Sequence, residues 1–146
     1  MTFKIGTFAI IFDDQKRVLL CHRRDCDLWN LPGGGLESGE SPWTGVIREV
    51  IEEVGLEVEV VKLLGVYSKT EKDEIVFSFL CKVINGQTTL TDEADKIDYF
   101  AIDELPTNTS SKQVERIKDA LDTQSAVVLK TQAGAPSINL VKHGKL

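Results

Sequence analysis

The chain has 146 residues, 42% hydrophobic and 27% charged, the balance of one soluble globular domain running over 1–146. Its formal net charge is −6 and it has no basic run, which argues against a protein that holds nucleic acid by its phosphates. No apolar stretch approaches the ~20 residues of a membrane span, and three cysteines without a CxxC pair argue against a disulfide scaffold, leaving the cytoplasm as the expected compartment. Cys21, His22 and Cys26 lie close together, but no second ligand pair follows to complete a zinc site.

In chain order, Phe3–Phe12 is rich in Phe, Ile and Thr and ends at Asp13-Asp14, a strand followed by a turn. Arg17–Arg23 is a second strand, and the short polar connection predicts a hairpin with the first. Asp25–Gly39 carries four glycines and Pro32 and is expected to be an irregular loop. Ser41-Pro42 starts a helix, with Ser as N-cap and Pro at the first helical position; it should run to Val54, with Gly55 as a left-handed stop. Leu56–Tyr67 and Ile75–Ile84 are apolar, β-branched strands, Asn85-Gly86 is a turn and Ile97–Ile102 is a short strand. Lys112–Leu121 is a second helix, with Val114, Ile117, Ala120 and Leu121 at helical spacing. Ala126–Lys130 closes the series as a last strand. This order predicts an α/β fold, a mixed sheet with helices on its faces.

The charge is not spread evenly. Between Gly34 and Glu59 stand seven glutamates and one base, Arg48, so this window holds the whole acidic excess. On the first helix, Val46, Ile47, Val50, Ile51 and Val54 form an apolar arc, and Glu49, Glu52 and Glu53 gather on the other side. Like charges three and four residues apart weaken a helix, and Arg48 offsets only part of that. A solvated face is the bland explanation. Against it, the face has no lysine, and a glycine-rich loop brings Glu40 towards it. Hard oxygen ligands gathered in this way suit Mg²⁺ or Mn²⁺, and such ions commonly arrive with substrate phosphates.

Gly34, Glu40 and Arg48-Glu49-Val50-Ile51-Glu52-Glu53-Val54-Gly55-Leu56 resemble the Nudix box, GX5EX7REUXEEXGU with U apolar, at every specified position over 34–56. Trp29–Gly33 and Tyr99–Pro106 are also similar to Nudix domains, and the resemblance extends to about Leu121. It implies an α/β/α sandwich and a divalent-metal hydrolase that cuts a nucleoside diphosphate linked to another moiety, by attack of metal-activated water on phosphorus. Glu52 and Glu53 match the principal metal ligands, Glu49 a ligand or general base, and Arg48 a residue that orients glutamate. Glu40 is expected to hold the loop to the helix or to reach metal through water, and the Gly33 carbonyl to bind metal; Gly34 and Gly55 shape the box.

Outside the box, Glu93, in Thr91–Asp95, is the candidate for a further acid, and Arg23 and Arg24 are the candidates for gripping phosphate. Trp29, Phe100 and Tyr67 are read as packing before base stacking, Trp43 as packing, and His22 and His143 as structural or exposed. The substrate expectation is a nucleoside triphosphate hydrolysed in the manner of MutT. It is reached largely by elimination, since the sequence marks associated with ADP-ribose and dinucleotide enzymes are missing. ADP-ribose or a nucleotide sugar is the runner-up, and a catalytically silent nucleotide sensor is the reading from another class. RNA-end removal would want a basic path, and none is evident. The tail, 123–146, is expected to add an edge strand or a homodimer contact.

Overall fold

Neighbouring residues of a strand point to opposite faces, and the first two strands bury both. The computed structural model describes residues 1–122 and 126–134. Ala9 and Ile11 of β1 (Lys4–Ile11) and Leu19 of β2 (Val18–Arg23) pack in one core with helix α1 (Pro42–Val54). Ile10, Val18 and Leu20 pack in a second core with Ile117 of α2 (Ser111–Leu121). Strands therefore lie between a helix on each side, the expected α/β/α sandwich.

The sheet is divided in two. The other strands are β3 (Trp29–Asn30), β4 (Gly33–Gly35), β5 (Glu57–Lys69), β6 (Glu74–Asn85), β7 (Ala94–Phe100) and β8 (Val128–Thr131). A mixed sheet runs β4-β1-β6-β5-β8, with β1 parallel to β6 and β5 parallel to β8, and an antiparallel one runs β3-β2-β7. The hairpin expected between the first two strands is not a ladder. β1 spends its edges on β4 and β6, β2 spends its edges on β3 and β7, and only the bridge Phe12–Val18 joins them. Their connection is a tight turn held by Asp13, whose carboxylate accepts from the Gln15 and Arg17 amides and the Arg17 guanidinium.

The glycine segment is also more regular than a loop. Gly33–Gly35 pair antiparallel with Gly6–Phe8. They do so because no side chain intervenes: a Cβ on Gly33 would overlap the Thr7 carbonyl oxygen and stand 2.7 Å from Phe8 Cα.

The α1 boundaries follow the expected signals. Ser41 Oγ accepts from the Thr44 amide and Thr44 Oγ1 from the Ser41 amide, a reciprocal cap, and Gly55 ends the helix at φ 75°, ψ 13°. The rotation of α1 differs from expectation. Its buried residues are Gly45, Val46, Glu49, Val50 and Val54, while Ile51 is 49% exposed. The helix is turned to carry a carboxylate under the glycine strand at the expense of one isoleucine. Trp43, expected to pack, is 57% exposed. By spacing it shares the face of Val46 and Val50, but it stands in the first turn, ahead of the buried part of the helix, which begins at Gly45.

Of the tail, Val128–Thr131 forms the edge strand β8 on β5. Residues 123–125 and 135–146 lie outside the described residues, and the expectations for His143 and for most of the tail fall there.

Gly33→Ala forces the backbone of β1 and β4 apart and should cost about 2 kcal/mol or more. Urea unfolding checks this, and a Gly33→Ala protein as stable as the parent would contradict the close-approach account.

Candidate active site

Side chains from α1 and the turn before β7 meet beside the backbone of the glycine strand at one end of a cleft. Carboxylate oxygens of Glu49, Glu53 and Glu93 all lie within 4.8 Å of one another. Two residues of the box and one from some 40 positions later are thus brought together. Gly34 makes room for Glu49, since a Cβ there would stand 2.8 and 3.0 Å from its two carboxylate oxygens. The Gly33 amide donates to Glu53 Oε2 at 3.1 Å, and the Cys21 thiol lies 3.6 Å from the same oxygen. Gly33, expected as a carbonyl ligand, contacts the cluster through its N–H.

Thr91 fixes the third acid. Its hydroxyl donates to the Glu53 carbonyl oxygen at 2.9 Å, stapling the turn to the end of α1, and accepts from the Glu93 and Ala94 amides. Arg24 supports the same turn: its amide donates to the Glu93 carbonyl and its Nε to the Thr91 carbonyl. Arg23 is held by Asp25 through Nε and Nη2 at 2.7 and 2.5 Å. Both arginines line the cleft, as phosphate-gripping residues must.

Arg48 organises the remaining box glutamates. Its guanidinium donates to both oxygens of Glu40 (2.6 and 2.8 Å), to Glu49 (3.2 Å), to Glu52 (3.0 Å) and to the Gly35 carbonyl (3.3 Å). Glu40 in turn accepts from the Glu37 amide, so it holds the loop to the helix. Glu52 is not drawn into the trio; its carboxylate lies on Arg48 at the exposed side of the helix.

The electrostatics separate the two groups. Hydrogen bonding from Arg48 pulls the Glu40 carboxyl down to about 2. Burial pushes Glu49 up, against the pull of Arg48. Burial also pushes Glu53 up to about 8, with Glu49 and Glu93 adding repulsion and the Gly33 amide opposing. The same burial, and the nearness of Glu53, push the Cys21 thiol well up. Three oxygen donors crowded so closely that one tends to keep its proton make a set a hard divalent cation fits, because its charge replaces that proton.

Glu53 and Glu93 of the trio line a cleft of about 550 Å³ that continues past Leu31 and Phe8 to Lys69, Lys112 and Arg116. The sequence reading did not single out this far end. Gln113 and Arg116 are i and i+3 on α2 and face inward beside Ile117. That spacing was legible, but polar types at those positions read as the solvent side. Trp29, Phe100 and Tyr67 pack as expected. Trp29 meets His22 and Phe100 edge-on, and Tyr67 is buried with its hydroxyl donating to Asp119. His22 is structural, buried between Asp95 at 2.7 Å and Asp27 at 2.8 Å.

Residues 2–120 match the family model described as the NUDIX domain. A MutT-like protein of Streptomyces ambofaciens is 36% identical over 118 residues, covering 81% of this chain and 77% of that protein. An ADP-ribose pyrophosphatase of Methanocaldococcus jannaschii is 35% identical over 103 residues, 66% of this chain and 61% of that protein. Among solved structures, an ADP-ribose pyrophosphatase from Streptococcus suis superposes with a TM-score of 0.74 at 26% identity, over 90% of this chain and all of that one. The fold and the carboxylate helix are those of a hydrolase acting on phosphoric anhydrides. The chain belongs to the Nudix family.

A carboxyl raised on folding stabilises the fold while protonated. For Glu53 that contribution is whole below the ordinary value of 4.5 and is lost as pH rises towards and through about 8. The metal-free protein should therefore melt at lower temperature at pH 8.5 than at pH 5.5. Glu53→Gln should flatten that slope, and millimolar Mg²⁺ should raise the melting temperature more at pH 8.5 than at pH 5.5. Scanning calorimetry at the two pH values checks all three, and a Glu53→Gln slope as steep as the parent's would remove Glu53 as its source.

Proposed function

We propose that the protein is a divalent-metal-dependent pyrophosphohydrolase whose substrate is a nucleoside triphosphate, cut in the manner of MutT. The observation that carries the reading is the convergence of Glu49, Glu53 and Glu93 at one end of a cleft large enough for a nucleotide. These three would hold Mg²⁺ or Mn²⁺, and Glu52, on the exposed side of Arg48, is left for a second ion. When bound, such an ion supplies neutralisation of the diphosphate and acidification of a water.

The chain's own residues do the rest. Arg23 and Arg24, at the rim, bind phosphate oxygens, Arg23 by exchanging its exposed Asp25 partner for substrate. Glu49 accepts the proton of the attacking water. Burial raises its basicity against the pull of Arg48, which fixes its orientation. Gly33 and Gly34 keep the backbone close and leave the cluster open to the cleft.

ADP-ribose or a nucleotide sugar is the second reading, favoured by the likeness to proteins named ADP-ribose pyrophosphatase. Nucleoside triphosphates, dinucleotides and nucleotide sugars, each incubated with Mg²⁺ or Mn²⁺ and resolved by chromatography, separate the two. Release of pyrophosphate from a triphosphate is the expected result, and preferential cleavage of ADP-ribose would replace it. Glu53→Gln should lower turnover on the order of 10²-fold or more with the fold retained. Unchanged turnover in that variant would sink the ligand assignment.

A further inference from the structure

Arg116 is 2% exposed, yet its Nη1 has no hydrogen-bond partner among the described residues. Burial of a guanidinium without an opposing carboxylate in contact is costly, so a protein that keeps one has built the rest of its surroundings to hold it. That is the arrangement around Arg116. The guanidinium carbon stands 5.3 Å from the Phe8 ring centroid and 5.5 Å from that of Tyr67. Its Nε donates to Gln132 Oε1 at 3.1 Å, and the Gln132 amide is itself spent on the Lys112 carbonyl and the Glu115 carboxylate. Tyr67 is fixed through its hydroxyl to Asp119, which also takes Lys130. The cleft is the side on which Arg116 meets open space.

The neighbours there are cationic as well. Lys69 and Lys112 line the same end of the cleft. Lys69 is paired with Glu74 at 3.1 Å, while Lys112 Nζ meets only the neutral carbonyl of Gly134 among the bonds of the described residues. Burial lowers Lys112, and repulsion from Lys69, Lys72 and Arg116 lowers it further; burial brings Arg116 down to about 10. A neutral acceptor would satisfy the vacant N–H but leave the cations repelling one another. An anion does both.

We propose that this end of the cleft is a second recognition subsite, in which Arg116, with Lys112 beside it, binds an anionic oxygen group, phosphate or carboxylate, carried by the substrate away from its scissile diphosphate. The proposal rests on the reading that the diphosphate lies at the carboxylate end. It narrows the wider reading of a nucleoside diphosphate linked to another moiety, and favours the ADP-ribose or nucleotide-sugar branch over a triphosphate, by naming a substrate class: nucleotides whose linked moiety carries a second, remote negative group. A planar fork already oriented by Gln132 and two rings suits such a group better than a flexible ammonium does.

Two substrate pairs test it. UDP-glucose and UDP-glucuronate differ by a carboxylate, and ADP-ribose and its terminal phosphate ester differ by a phosphate. Each is titrated calorimetrically with Ca²⁺ in place of Mg²⁺, so that binding is read apart from turnover. In the parent protein the charged member of one pair should bind at least about tenfold tighter, and the pair that responds identifies the group. Arg116→Met should bring that ratio to near one, Arg116→Lys should leave it intermediate, and Lys112→Met should reduce it about threefold. Ratios near one in the parent for both pairs would overturn the subsite. So would a folded Arg116→Met protein that keeps the preference; if that variant does not fold, the parent and Lys112→Met ratios decide. Turnover of the same compounds is measured separately with Mg²⁺. Preference in binding with no hydrolysis of these compounds or of nucleoside triphosphates would overturn the pyrophosphohydrolase reading alone, and hydrolysis without preference would overturn the subsite alone.

Discussion

Everything at the active end depends on keeping like charges together in partial burial. Glu49, Glu53 and Glu93 repel one another, and Glu49 and Glu53 are raised first by burial and then by the neighbouring negative charge. Left to itself such a cluster would drift apart. It is held by groups that cannot move far: the Gly33 amide on Glu53, the Arg48 guanidinium on Glu49, and Thr91 tying the Glu93 turn to the last carbonyls of α1. The glycine strand contributes by what it lacks, since any side chain at Gly34 would occupy the Glu49 carboxylate's place.

Arg48 illustrates why a single cation serves the box. It faces Glu40, Glu49, Glu52 and the Gly35 carbonyl at once, so loop, helix and strand share one electrostatic knot. Glu40 is spent on that knot and its carboxyl stays ionised, whereas Glu53 is screened from it and keeps the higher proton affinity. The same helix thus carries Glu52 with Arg48 on its open side, and Glu49 and Glu53 beneath the glycines.

The far end of the cleft inverts the pattern. There the buried charge is positive, the support is aromatic and amide, and no carboxylate among the described residues bonds the guanidinium. A cleft acidic at one end and basic at the other would suit the elongated polyanion proposed above, with a divalent cation held at the acidic end.

Six of the eight strands, both helices, the Ser41 and Gly55 caps and the box were legible from residue type and spacing, because capping and periodicity are local effects. The hairpin and the irregular loop were misread for a common reason. Whether β1 pairs with β2 or with β4 and β6 depends on which edges come free when the chain collapses, and no local signal records that. Ile51 was placed inward because the apolar arc alone set the expected rotation of α1, while the actual rotation answers to the glycine strand lying over Glu49. Glu93 was reachable as an acid near a strand start, but its meeting with Glu49 and Glu53 requires β7 to lie against β2 beside α1.

By itself, then, the sequence determined the family, the reaction class and the concentration of its −6 charge in one loop and helix, since these rest on residue identity at short spacings. Tertiary structure decided which glutamates share a site, which belong to Arg48, and that an arginine on α2 reaches the same cleft. Those are distances between residues tens of positions apart, and only the packing of both helices across the strands sets them.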